Sequence, residues 1–229
     1  MTASLRSDNQ AVGAEFTVRP YRSSDRQAVR QLAGEDEFGR PYLASKYSGY
    51  REYLADSVSH YYDLEPESMF IAESDGAVIG NLLGAVDTKA TEKRQATHTH
   101  HLRRKRLLTG GYGLPFWLIK VIRSERVPTI TRAPYVDPAE YPAHLHIGVN
   151  RKWRRRGIGS ALMTAYENYL RSRGVAGYHL YASSFHYQGM SFYRKFGLEE
   201  LGQFLWHFYD GRRWIIVTET VFVRSLSSN

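Results

Sequence analysis

An α/β (α+β) fold, with a central mixed sheet flanked by helices, is what this 229-residue sequence predicts, and three observations carry it. Apolar runs of period two alternate along the chain with apolar stripes of helical period. No internal repeat or low-complexity segment is present, so the alternation reads as one sheet with helices packed on it. The chain is 42% hydrophobic and 24% charged, enough apolar material for a sizeable core and enough charge for an ordinary soluble surface.

Taken in order, residues 1–14 are polar and lack an apolar run, so they read as a flexible tail and not as a signal peptide. Residues 16–21 form a short strand, and Ser23, Ser24 or Asp25 can cap a helix that runs through Leu32. Residues 47–62 set Tyr50, Tyr53, Leu54 and Val58 at helical spacing. Residues 69–73 and 78–86 are strand-like runs joined by Ser74-Asp75-Gly76, a hairpin signal. Residues 88–140 break the rhythm. That stretch is basic and reads as two helical pieces divided near Gly110-Gly111-Tyr112-Gly113, an insertion within a single domain of residues 15–229.

Order returns at residues 143–149, where Leu145, Ile147 and Val149 alternate with His144, His146 and Gly148. A glycine-containing turn leads into a helix over 158–173, with a stripe of Ile158, Leu162, Ala165, Tyr166 and Tyr169 and a stop at Gly174. Residues 178–182 are a strand and 189–196 a short helix. A hairpin closes the chain, residues 203–209 and 214–222, across Asp210-Gly211.

Several chemistries are excluded at once. The chain has no cysteine, which removes disulfides, a thiol nucleophile and thiolate metal sites, and points to a reducing, cytoplasmic setting. Its apolar runs are too short to span a bilayer. A net charge of +8 suggests an anionic partner. Neither basic cluster, residues 103–106 or 151–156, is interleaved with the aromatics of a single-strand nucleic-acid platform, so nucleic acid is the weaker reading. His98, His100 and His101 lack a carboxylate at ligand spacing, and no metal site is expected.

The most informative stretch is 149–162. There a strand ends, an arginine-rich turn follows, Gly157 and Gly159 stand two apart, and a helix begins. Helix N-termini bind anions through free N–H groups and the helix dipole, and glycines let a phosphate approach the backbone. The spacing Arg-x-x-Gly-x-Gly differs from the Rossmann and P-loop signatures. Arg154-Arg155-Arg156-Gly157-Ile158-Gly159 resembles the acetyl-CoA pyrophosphate loop of the GNAT superfamily. Downstream, Phe192-Tyr193-Arg194-Lys195-Phe196-Gly197-Leu198 is similar to that family's Phe-Tyr segment. Tyr141-Pro142-Ala143-His144-Leu145-His146-Ile147 locally resembles the acetyltransferase-like domain appended to O-GlcNAcases.

The resemblance implies a mostly antiparallel GNAT-like sheet and acetyl-CoA as cosubstrate. It implies that backbone groups of Ile147, Gly148 and Val149 meet the acyl and pantetheine part. The turn Arg154, Arg155, Arg156, Gly157, Ile158, Gly159 and Ser160 would hold the pyrophosphate, and Tyr193 would lie near the thioester sulfur. His186 stands where the family often has Asn.

Acyl transfer to an amine needs a base, because an amine of pKa about 10.4 is neutral only about once in two thousand molecules at pH 7. His144 and His146, on one strand face, are the candidates for the base. Tyr193 is the candidate acid, with core packing as the alternative for all three. Asp87 and Glu140 are weaker candidates. The acceptor is expected to be a small-molecule or peptide amine, and a homodimer stays open. A catalytically silent acetyl-CoA-binding module is the competing reading.

Overall fold

The computed structural model describes residues 15–34, 49–112, 129–209 and 213–227. At its centre is a seven-stranded sheet, β1 (Thr17–Pro20), β2 (Met69–Ser74), β3 (Ala77–Ala85), β4 (Ala143–Val149), β5 (Gly177–Ser183), β6 (Glu199–Tyr209) and β7 (Trp214–Ser225). The spatial order is β1-β2-β3-β4-β5-β7-β6. Every neighbouring pair is antiparallel except β4 with β5. The mixed, mostly antiparallel sheet expected from the sequence is therefore present.

Among the described residues the helices are α1 (Arg26–Gly34), α2 (Gly49–Ser57), α3 (Ser59–Leu64), α4 (Thr88–Leu108), α5 (Ile158–Ser172) and α6 (Tyr187–Phe196). On one sheet face, Leu162, Met163, Tyr166 and Leu170 of α5 pack with Phe70, Leu82, Leu145 and Phe222. Full burial of such a side chain contributes about 2 kcal/mol. On the other face, Val29 and Tyr61 pack with Met69, Ile71 and Leu83. A third cluster joins Tyr50 and Tyr112 to Phe208 and Val217, so the hairpin aromatics are partly core.

Some boundaries differ from the sequence pattern. The stretch expected as one helix over 47–62 is two, α2 and α3, because Val58 leaves helical geometry at φ −102°, ψ 4°. Strand β6 starts at Glu199, four residues early. Its first residues lack apolar alternation, and β7 pairs with them through a register shift between Glu200 and Gly202. On α5 the buried set also includes Met163, Glu167 and Leu170. Glu167 accepts from Tyr178 at 2.8 Å and pairs with Arg171 and Arg224.

The expected first helical piece of the insertion is α4. It has no apolar stripe; it is tethered to α2, α3 and the turn after α3 by ion pairs of Arg94 with Glu65 and of Arg106 with Glu52 and Asp56, and by a hydrogen bond between His98 and Asp63 at 3.0 Å. The second piece falls largely on residues 113–128, outside the described residues, and residues 129–140 contain no helix. Ile130 N–H donates to Leu205 O at 2.8 Å, and Thr131 Oγ1 accepts from Leu205 N–H at 2.7 Å, pinning this run to β6. The 1–14 tail and the Asp210-Gly211 turn also lie outside the described residues. No helix among the described residues is long and apolar enough to cross a membrane.

Candidate functional site

The two edges of β4 have different partners. Against β3 the pairing is continuous from Gly80↔Val149 to Ala85↔His144. Against β5 only Ala143↔Tyr178 and His144↔His179 are in register, and beyond them the strands part. Asn150 N–H donates to Ile79 O at 2.8 Å. By the two-residue alternation of a strand, the N–H groups of Gly148, His146 and His144 also point to β3. Those of Leu145, Ile147 and Val149 point the other way; Leu145 serves the His144↔His179 pairing with β5, and Ile147 and Val149 face the gap. The Val149 carbonyl faces that gap and accepts from Arg154 Nε at 3.2 Å.

The gap leads to the start of α5. Arg155 has φ +64° and Gly157 φ +81°, two left-handed residues that curl the turn and direct backbone N–H groups inward. Glycine is suited to position 157 by its backbone angle, since an added Cβ would meet open space. Gly159 has a different reason. A Cβ there would stand 3.2 Å from Phe192 Cζ, so α6 packs closely over this glycine. The helix's own bonding starts with Ala161 N–H donating to Gly157 O at 3.0 Å, which leaves the N–H groups of Ile158, Gly159 and Ser160 directed outward. Arg154, Arg155 and Arg156 are exposed, and the Arg156 guanidinium lies 4.9 Å over the Trp153 ring. Glycines, helix dipole and three cations in one turn make a cradle for a polyanion.

His144 and His146 do share a face of β4, with the Tyr61 ring 5.6 Å and 5.7 Å from them. Their situations differ. The Thr88 hydroxyl donates to Pro142 O at 2.7 Å, a carbonyl that can only accept. Its single proton is thus committed, so at 3.1 Å His144 Nδ1–H must donate to Thr88 Oγ1. This assigns the Nδ1–H tautomer and leaves Nε2 to accept from the Tyr61 hydroxyl, with which it forms a short hydrogen bond. Burial, followed by the neighbouring His146, His179 and His60, keeps the His144 pKa well below its ordinary value. Both nitrogens of His144 are engaged and the ring is neutral.

His146 is open to solvent from the gap, while protein on its other sides desolvates the ring and lowers its pKa. It is the neutral imidazole within reach of a ligand. Tyr61 and Thr88 escape a reading of the sequence. They stand 83 and 56 residues from His144, and no local pattern marks them.

Tyr193 is half-buried on α6, its ring 5.3 Å from Phe192 and 5.5 Å from Phe222. The His186 side chain lies outside the described residues. Asp87 caps α4, accepting from Ala90 N–H at 3.0 Å, and Glu140 lies in an exposed turn outside the gap. In the basic run 103–106, Arg103 bonds Tyr53 at 3.0 Å and Arg106 pairs with Glu52 and Asp56, so half of that cluster is structural. Among the described residues no group of three metal-ligating side chains converges.

Residues 126–198, which contain β4, the turn, α5, β5 and α6, match the Acetyltransferase (GNAT) family. The fold is that of solved acetyltransferases. SsHAT superposes with a TM-score of 0.61 at 24% identity, covering 93% of this chain and 99% of its own. The N-acetyltransferase of Staphylococcus aureus Mu50 gives 0.55 at 12% identity, covering 93% and 100%. The yncA protein of Salmonella typhimurium, solved with its cofactor acetyl-CoA, gives 0.53 at 12% identity, covering 93% and 95%.

Proposed function

We propose that this chain, GNAT-like in fold and in its central segment, is an acyl-CoA-dependent N-acyltransferase. It moves an acetyl group from acetyl-CoA to a primary amine by direct attack within a ternary complex. The observation that carries the reading is the early parting of β4 from β5. That gap exposes the backbone of Ile147 and Val149 along a line ending at the α5 N-terminus.

Acetyl-CoA supplies an electrophilic thioester carbonyl and a thiolate leaving group. The N–H groups of Ile158, Gly159 and Ser160, with Arg154, Arg155 and Arg156, bind the pyrophosphate. The backbone of Ile147 and Val149 takes up the pantetheine amides as an added strand would, with Gly148 between them. A β4 N–H directed into the gap stabilises the carbonyl oxygen as charge develops there, an effect typically worth about 3 kcal/mol. His146 accepts the proton of the attacking amine. His144, fixed by Tyr61 and Thr88, is a neutral neighbour that keeps a second positive charge out of the site. Tyr193 donates its phenolic proton to the departing thiolate, and reprotonation from solvent restores it.

Calorimetry with acetyl-CoA and a thiol-release assay with added amines test this directly. Micromolar binding with amine-dependent thiol release is expected. Binding with no release from any amine would leave a silent acetyl-CoA-binding module, and the absence of binding would overturn the reading.

A further inference from the structure

Beside the point where β4 and β5 part, a cavity of about 270 Å³ opens on the histidine face of the sheet. His144 pairs with His179 in the parallel register. The next residues on that face, His146 and Tyr181, therefore stand on opposite sides of the gap. His179 and Tyr181 both line the cavity, which places its inner end at the gap.

The remaining walls come from two elements. The first turns of α4 provide Lys89 and Glu92, and the run after residue 131 provides Arg132 and Tyr135. This run is held firmly. Thr129 bridges to Trp206, and Pro134 packs so closely on Gly202 that an added Cβ would stand 2.9 Å from Pro134 Cγ.

The charges of this wall behave unlike those further along α4. Arg94, His98 and Arg106 turn to Glu65, Asp63 and Asp56. The side chains of Lys89, Glu92 and Arg132 make no hydrogen bond or ion pair with any described residue. Beside them the rings of Tyr135 and Tyr181 are 75% and 47% exposed. Solvated charges of both signs around open aromatic rings suit a ligand with both signs of charge. An ammonium is attracted to a carboxylate and to ring faces, and an acidic group to Lys and Arg. The volume fits a molecule of amino-acid size and is too small for a folded partner.

We propose that this cavity is the acceptor pocket and takes a small primary amine that also carries an acidic group. Glu92 draws the ammonium toward the gap, Lys89 and Arg132 hold the anion, and Tyr135 and Tyr181 flank the body. The ammonium first releases one proton to solvent, and the neutral amine then attacks and loses a second proton to His146. The assignment rests on the acyl-transfer reading above.

The test compares thiol release from acetyl-CoA with matched amines, phenylalanine against phenethylamine and 4-aminobutyrate against butylamine. In at least one pair the acid-bearing member should have a kcat/KM about tenfold higher or more. Glu92→Gln should raise the acceptor KM about tenfold while leaving the acetyl-CoA Kd unchanged. Arg132→Gln and Lys89→Gln should erase the preference for the acid-bearing amine. All three changes are at the surface, and an unaltered Tm confirms that the variants fold. Equal kcat/KM within both pairs, or wild-type acceptor KM in Glu92→Gln and Arg132→Gln, would overturn the pocket. So would acetyl-CoA binding without turnover of any acid-bearing amine. Loss of acetyl-CoA binding by the wild type would instead overturn the reading on which the pocket rests.

Discussion

The two sides of the gap are built from different materials. The side assigned to the donor is mostly backbone: N–H groups of β4 and of the α5 start, shaped by a left-handed Gly157. The opposite side is made of side chains, with His144, His146 and Tyr61 meeting from β4 and α3, and Glu92 and Arg132 from residues 88–140. A backbone cradle depends on a few local dihedral angles and carries no group that titrates near neutrality. A side-chain wall depends on the whole fold and responds to pH.

Five perturbations separate the two sides. Gly157→Glu should act most strongly, placing a side chain and a negative charge in the cradle. The acetyl-CoA Kd should rise about 10³-fold, as expected from losing two or three charge-assisted hydrogen bonds. Calorimetry reads this directly, and an unchanged Kd would remove the turn from the site.

Acid should act on the other side. Burial, followed by the neighbouring His146, lowers His60 to about 4. The unfolded chain, with a histidine pKa of about 6.5, then binds the proton first. The stability this neutral ring contributes is present above about pH 6.5 and is lost as pH falls toward 4. It amounts to about 3 kcal/mol for a shift of this size. Urea unfolding at pH 7 and pH 4.5 measures it, and His60→Phe should flatten part of the difference. Equal stability at the two pH values would show that the face is not held neutral.

Changes at the reacting groups should leave donor affinity alone. Tyr193→Phe removes one proton and keeps the ring, so kcat should fall about 10²-fold with the acetyl-CoA Kd unaltered. His146→Gln should cost a similar factor and abolish the acid limb of kcat/KM. That limb should lie below about pH 6.5, because desolvation lowers this imidazole. Persistence of the limb in His146→Gln would exclude His146 as the base. The smallest effect is expected from Thr88→Val, which removes the hydroxyl that fixes the His144 tautomer. It should cost about 1 kcal/mol, or about 2–4 °C in Tm, with donor affinity unchanged.

Much of the donor side is legible in the sequence because its determinants are contiguous. Residues 149–160 carry the end of a strand, three arginines, a glycine at the left-handed position and the first turn of a helix, within one dozen positions. Chain-local physics is enough to read an anion cradle there. The alternation in β4 likewise puts His144 and His146 on one face through the two-residue period of a strand. Gly159 is the instructive exception. Its spacing suggests phosphate approach, and the tertiary structure adds a constraint that the spacing does not show, the close ring of Phe192, 33 residues along the chain.

The sequence alone determined the order of the strands, the face of β4 that carries the histidines and the turn that precedes α5. Each follows from periodicity or glycine spacing over a few residues. Only the tertiary structure decided that β5 pairs with β4 for two residues and then leaves it, and that Tyr61 and Thr88 close on His144 while His146 stays open. It alone also decided that α4 returns Lys89 and Glu92 to the same cavity as Tyr181. Those outcomes depend on contacts between segments tens of residues apart, where packing and hydrogen-bond satisfaction over the whole domain outweigh local preference.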